Sequence, residues 1–196
     1  MTSETPPGLR ERKKAATRQA LHEAALRLTF EHGLEKLTVE AIADEAFVSR
    51  RTFSNYFAGK EQALLHGDQV RIAALVGLFR ARPADETPAT AFVRAAEEFA
   101  VVHPVDPVRE GRYREVLRHP ALGGAAAAVF AAGELELAEA IGLRLLAGPD
   151  RVLRARFLAA VFLAVLRVAA KPVGDREQNL ADLTRQGLAI VGEECG

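Results

Sequence analysis

Arg50, Arg51, Thr52, Ser54 and Asn55 stand together in VSRRTFSNYF, residues 48–57, threaded on Phe53, Tyr56 and Phe57. These are hydrogen-bond donors of a particular kind. An arginine fork bonds O6 and N7 of guanine at once, and an asparagine amide does the same for N6 and N7 of adenine. Serine, threonine and tyrosine hydroxyls bond phosphate oxygens. On a helix, Phe53, Tyr56 and Phe57 lie at i, i+3 and i+4 and share one face. The donors then occupy the other. That chemistry is recognition of a polar, anionic surface.

Catalytic chemistry finds little footing. Besides Ser49 and Ser54 the only serine is Ser3, and the five histidines show no metal-ligand spacing. No glycine-rich phosphate loop follows a strand, because no strand-like alternation is present. No catalytic residue, metal or cofactor is expected. The single cysteine, Cys195, excludes a disulfide framework within one chain and fits a reducing cytoplasm.

The elements that must hold the donor face are helices. A helix is expected from about Arg12 to His32, with Leu21, Ala24, Ala25 and Leu28 on one face and Gly33 as a left-handed cap. Thr38 is placed to cap VEAIADEA, in which Val39, Ile42, Ala43 and Ala46 face inward. After the break FVS, Ser49 caps a helix over 50–56. A long helix then runs from Lys60 to about Arg80. ARPADETPAT, 81–90, interrupts the pattern. Five further helices are expected at 88–103, 105–118, 121–146, 150–170 and 176–192, punctuated by prolines.

Two short helices joined by a tight break, with a third in front, are the parts of a helix-turn-helix, whose second helix enters the DNA major groove. Thr38 and Lys60 flank the same groove. Arg12, Lys13, Lys14 and Arg18 either reach backbone phosphates or the minor groove, or form a frayed basic arm.

The run 17–64 resembles the N-terminal domain of the TetR family of bacterial transcriptional regulators. The matching pieces are TR at 17–18, AA at 24–25 with Gly33, LTVEAIADEA, VS..TF..YF at 48–57 and KE at 60–61. The resemblance implies an all-α subunit. A three-helix DNA-binding domain, 10–58, precedes a larger helical ligand-binding and dimerisation domain, 59–196. It implies a homodimeric repressor, released from a palindromic DNA operator by a small-molecule effector. In that reading the effector tilts the 60–80 helix and shifts the recognition helices off the ~34–36 Å of one DNA turn. The DNA-binding set is Arg18, Thr38, Ser49, Arg50, Arg51, Thr52, Ser54, Asn55, Tyr56 and Lys60. The alternative is a ligand-binding or interaction protein that keeps the fold without specific DNA readout.

Two positions depart from the family pattern. Phe47 stands where the turn usually has glycine, so either the turn relaxes to an ordinary φ or Phe47 gains packing that offsets the strain. Ser54 and Asn55 replace larger aromatics, which predicts a different operator sequence.

Signals thin out toward the C-terminus. Phe99, His103, Arg112, Tyr113, Phe130, Glu134 and Phe162 are the candidate ligand contacts, against a plain reading as core and solvated face. Phe157, Val161, Val165, Leu180, Leu183 and Val191 are the candidate dimer contacts, on apolar helices suited to a two-fold four-helix bundle. Almost half of the residues are hydrophobic, at 49%, so a core can form. The formal net charge is zero, with 26 basic and 26 acidic residues, so any DNA-binding surface must come from where charges sit. No apolar run reaches the ~18 residues a membrane span needs, and 152–170 comes nearest. No membrane partner is expected.

Overall fold

The computed structural model describes residues 8–104, 106–169 and 180–194, with the side chains at 169, 180, 181 and 191–194 outside that description. Among the described residues every regular element is a helix. They divide into two compact units, 1–69 with 106–129, and 70–105 with 130–196.

In the first unit, α1 (Leu9–His32) buries Leu21, Ala24, Ala25 and Leu26. Gly33 follows with φ 85° and ψ 160°, a positive φ that glycine alone adopts cheaply, and its N–H bonds the Thr29 carbonyl. A 3-10 turn, Leu34–Lys36, leads to α2 (Val39–Glu45) and α3 (Arg50–Ser54). Phe53, Phe57, Ile42 and Ala43 join the α1 residues in one core, with Tyr56 and Val48 packed against it.

The expected 60–80 helix is two helices, α4 (Lys60–Leu64) and α5 (His66–Ala81). At the break the buried Ala63 carbonyl accepts from Nδ1 of His22 at 2.9 Å. A Cβ on Gly67 would lie 2.6 Å from Nε2 of His22. The imidazole on α1 thus takes the carbonyl that a continuous helix would use, and Gly67 leaves room for its ring.

Unit 1 also takes in α7 (Pro107–Leu117), which starts as its sequence predicts: Pro107 at the first position and Asp106 Oδ1 accepting from Val108 N–H at 3.0 Å. Tyr113, Val116 and Leu117 pack on the α1–α4 core, and Leu122 is buried within it. The packing therefore does not divide at the expected 58/59 boundary. Ala63, Leu64 and Leu122 are buried in the same cluster as Leu21, Ala24, Ile42 and Phe53.

In the second unit, α6 (Pro88–Val102) is capped by Thr87 and buries Ala91, Phe92, Ala95, Ala96 and Phe99. It packs with the C-terminal part of α5, α8 (Gly123–Gly142), α9 (Arg151–Ala169) and α10 (Leu180–Glu194). Arg144 closes the end of α5, donating to the carbonyls of Phe79, Arg82 and Pro83. Gly133 of α8 is buried against Ile72.

Among the described residues one helical stretch, Pro120–Gly142, is long and apolar enough by composition to cross a membrane, with a mean hydropathy of 1.4. The sequence pointed instead to 152–170. Leu122, Leu137 and Ile141 of this stretch are buried within the protein itself.

Candidate nucleic-acid interface

Residues 38–57 fold as two capped helices with a tight turn between them. Thr38 Oγ1 accepts from Ala41 N–H at 3.1 Å, and Ser49 Oγ accepts from Thr52 N–H at 3.0 Å. Each cap satisfies a backbone donor that the helix start would leave orphaned. The turn is a Schellman closure: Val48 N–H bonds the Ala43 carbonyl at 2.9 Å and Phe47 N–H bonds that of Asp44 at 3.0 Å.

That closure requires a left-handed residue, and Phe47 supplies it with φ 56°. The side chain is 96% exposed. Neither expected escape is taken: the φ is not ordinary, and the ring gains no packing. A bulky residue in this conformation costs about 1–2 kcal/mol.

Phe53 is buried and tilted against Phe57, with ring centroids 5.8 Å apart. These two rings hold α3 on the core and fix which face points outward. Arg51, Ser54 and Asn55 lie on that exposed face. Arg51 makes no ion pair with another described residue. Arg50 is committed differently, pairing with Glu40 of α2 at 2.9 Å. Thr52 is half-buried and shares a 2.8 Å hydrogen bond with the Ser49 hydroxyl. Ser54 Oγ donates back to the Arg50 carbonyl at 3.2 Å. Tyr56 is half-buried, with the Arg18 guanidinium 5.9 Å from its ring centre.

Lys60 does not project freely beside the groove. Its Nζ donates to the carbonyls of Leu37, at 2.8 Å, and Leu34, at 3.3 Å. It ties α4 to the 3-10 turn, a contact across more than twenty residues that no local pattern announces. The start of α1 adds a feature that the sequence reading left open. Arg10, Lys13 and Lys14 line an open cleft of about 670 Å³ together with Leu9, Glu11, Asn55 and Tyr56. Basic side chains thus converge on the end of α3, although the whole chain carries no net charge.

Two helices in this capped geometry, with a donor-rich outer face, match the docking form of a helix-turn-helix. The family model described as "Bacterial regulatory proteins, tetR family" matches residues 21–66. The HTH-type transcriptional regulator TcmR of Streptomyces glaucescens is 36% identical over 211 residues, covering 99% of this chain and 88% of that protein. The chain belongs to the TetR family. It is a helix-turn-helix transcriptional regulator of bacterial type. Solved TetR-family structures share the fold. A regulator from Streptomyces coelicolor A3 superposes with a TM-score of 0.62 at 19% identity, over 99% of this chain and all of that one. The TetR-family repressor FadR of Thermus thermophilus, solved with lauroyl-CoA, has a TM-score of 0.50 at 25% identity, over 90% and 93% of the two chains.

The candidate ligand residues are not one cluster within either unit of this TetR-family chain. Phe99, His103, Phe130, Glu134 and Phe162 belong to the second unit, and Arg112 and Tyr113 to the first. Phe162 is buried and stacked on Phe92, with centroids 4.7 Å apart, and His103 lies 4.7 Å from the buried Phe99 ring. Phe130 and Glu134 are half-buried on α8. Arg112 donates to the Phe30 carbonyl at 2.8 Å and sits over the Phe30 ring, while the Tyr113 hydroxyl donates to Asp68 at 2.6 Å. Both fasten α7 inside unit 1, which sequence spacing on one helix could not reveal.

Of the candidate dimer residues, Phe157 is 64% exposed, and Val161, Val165 and Leu183 are half-buried. Leu180 and Val191 lie outside the described side chains. Val152, Leu153, Val168 and Ile190 add exposed apolar surface to α9 and α10.

Proposed function

We propose that two copies of this chain bind the two halves of a palindromic operator, repress transcription there, and release it when a small molecule binds the larger helical domain. The observation that carries the DNA side is the outer face of α3. Arg51 and Asn55 are exposed there, on a helix locked from behind by Phe53 and Phe57. Arg51 reads a guanine and Asn55 an adenine, while the Ser49 and Thr38 hydroxyls and the Arg10, Lys13 and Lys14 cleft engage phosphates.

The dimer reading rests on the exposed apolar side chains Val152, Leu153, Phe157, Val168 and Ile190 on α9 and α10. Surface of that kind is costly in water and is covered by a two-fold mate in a helical bundle. The effector reading draws support from Thermus thermophilus FadR, a repressor whose structure holds lauroyl-CoA. Phe99, Phe130 and Glu134 are the side chains we assign to the effector. An effector acts only through its differential affinity for DNA-bound and free forms. Cytoplasmic location follows from this role.

The test is selection of bound sequences from a random DNA pool at about physiological salt, alongside the Arg51→Ala/Asn55→Ala double variant. A palindromic consensus that the variant loses is the expected result. Equal enrichment with both proteins overturns base reading by α3.

A further inference from the structure

The turn of the helix-turn-helix holds a residue whose conformation and exposure both oppose stability. Phe47 has φ 56°, and its ring is 96% exposed. The left-handed backbone is imposed by the closure around it. Val48 must turn back onto the first core, and its N–H and that of Phe47 must reach the Ala43 and Asp44 carbonyls. Glycine, or asparagine, meets that demand at least cost. A phenylalanine there receives nothing from the free protein in return. Strain kept in this way points to a bound state in which the side chain is used.

Its position indicates the partner. Phe47 lies two residues before Ser49, whose hydroxyl caps the recognition helix. The start of that helix is the end that meets a DNA strand, through backbone N–H groups and the first side chains. Arg50, immediately after the cap, is paired with Glu40 in the free protein. An apolar ring at this edge fits the apolar parts of a DNA strand, which are the thymine 5-methyl group and the deoxyribose face.

We propose that Phe47 is a DNA-contact residue, packing its ring on a thymine methyl or on the adjacent deoxyribose where the operator strand passes the start of α3. This rests on the DNA-binding reading above. It adds a specificity contact from the turn, outside the donor face.

The experiment uses the full-length protein and the operator recovered by selection. Operator affinity and Tm are measured for wild type, Phe47→Gly, Phe47→Asn, Phe47→Leu and Arg51→Ala. Phe47→Gly and Phe47→Asn are expected to raise Tm by about 2–4 °C and to weaken operator binding about tenfold. Phe47→Leu, apolar but still strained, keeps most of the affinity. Deoxyuridine in place of thymine at the half-site edge separates the two contacts. Loss of affinity in wild type but not in Phe47→Gly identifies the methyl group, and no loss in either identifies the sugar. Unchanged operator affinity in Phe47→Gly, with binding abolished by Arg51→Ala, overturns the Phe47 contact and leaves the DNA reading intact. No enriched sequence for wild type removes both.

Discussion

His22 and His66 meet edge to face inside the first unit, with ring centroids 6.0 Å apart and planes at 81°. Nδ1 of His22 donates to Ala63, which makes it the protonated nitrogen of a neutral ring. Nδ1 of His66 is buried without a hydrogen-bond partner. Phe57 closes the other side of His66, with centroids 5.4 Å apart.

This pair sets a pH dependence. Burial lowers both imidazoles below their usual 6.5. Charge on His22 opposes protonation of His66, while the Ala63 carbonyl favours protonation of His22. Around them Glu23 and Asp68 favour protonation of His22, while Arg109 opposes it at His22 and Arg18 at His66. A group whose folded pKa is lowered binds protons more readily unfolded, so stability is full above about pH 6.5 and falls below it. Thermal unfolding followed from pH 7.5 to 5.5 should show Tm dropping. In His22→Leu the slope should flatten, while the Ala63 carbonyl loses its donor at a cost of about 1–3 kcal/mol at pH 7.5. An unchanged slope refutes the assignment.

Glu86 governs a lower window. Its carboxylate accepts from Arg82 at 2.6 and 3.0 Å and from Arg94 at 2.6 Å, fastening the 81–87 turn to α6. Those hydrogen bonds hold its pKa at about 2, well below the usual 4.5. The stability it contributes is complete above about pH 4.5 and disappears as pH falls toward 2. Glu86→Gln should be less stable than wild type at pH 7, and the gap should close in acid denaturation below pH 4. A gap that stays constant with pH would count against the ion cluster as its cause.

The basic cleft should report itself through salt. If Lys13 and Lys14 bond phosphates, replacing either with alanine weakens binding to all DNA sequences alike. It should also reduce the slope of log K against log salt by about 1. Operator and random duplexes titrated at several salt concentrations decide it. Discrimination that changes while the slope does not would place these lysines on bases instead.

Gly133 tests the packing of the second unit. A Cβ there would lie 2.3 Å from Cγ2 of Ile72, a β-branched side chain with little rotamer freedom. Gly133→Ala should therefore destabilise by about 1–3 kcal/mol through overpacking. This opposes the gain of up to about 1 kcal/mol that alanine normally brings to a helix interior. Denaturant unfolding is the measurement, and a stabilised variant would show that α5 and α8 can separate freely at this point.

Much of the DNA-facing half could be read directly because its determinants are local. Thr38 and Ser49 precede helices that they cap from three residues away, and Pro88, Pro107 and Pro120 each open a helical element. Phe53 and Phe57 share a face by spacing alone, and they are buried. Helical period and hydroxyl placement act within one or two turns, so the chain order of residues contains the information.

The rest depends on partners distant in sequence. Lys60 was expected to flank the groove, yet it serves the carbonyls of Leu34 and Leu37. Arg50 was grouped with Arg51, yet Glu40 holds it. The single helix over 60–80 is interrupted at Leu65, where His22 on another helix takes the Ala63 carbonyl. Arg112 and Tyr113 face α1 and Asp68. Phe47 belongs to both levels. Its residue type raised the question of the turn, but the backbone bonds that close α2 and the packing of Val48 on the core decided the answer, because a side chain's own preference yields where the core dictates the path of the backbone.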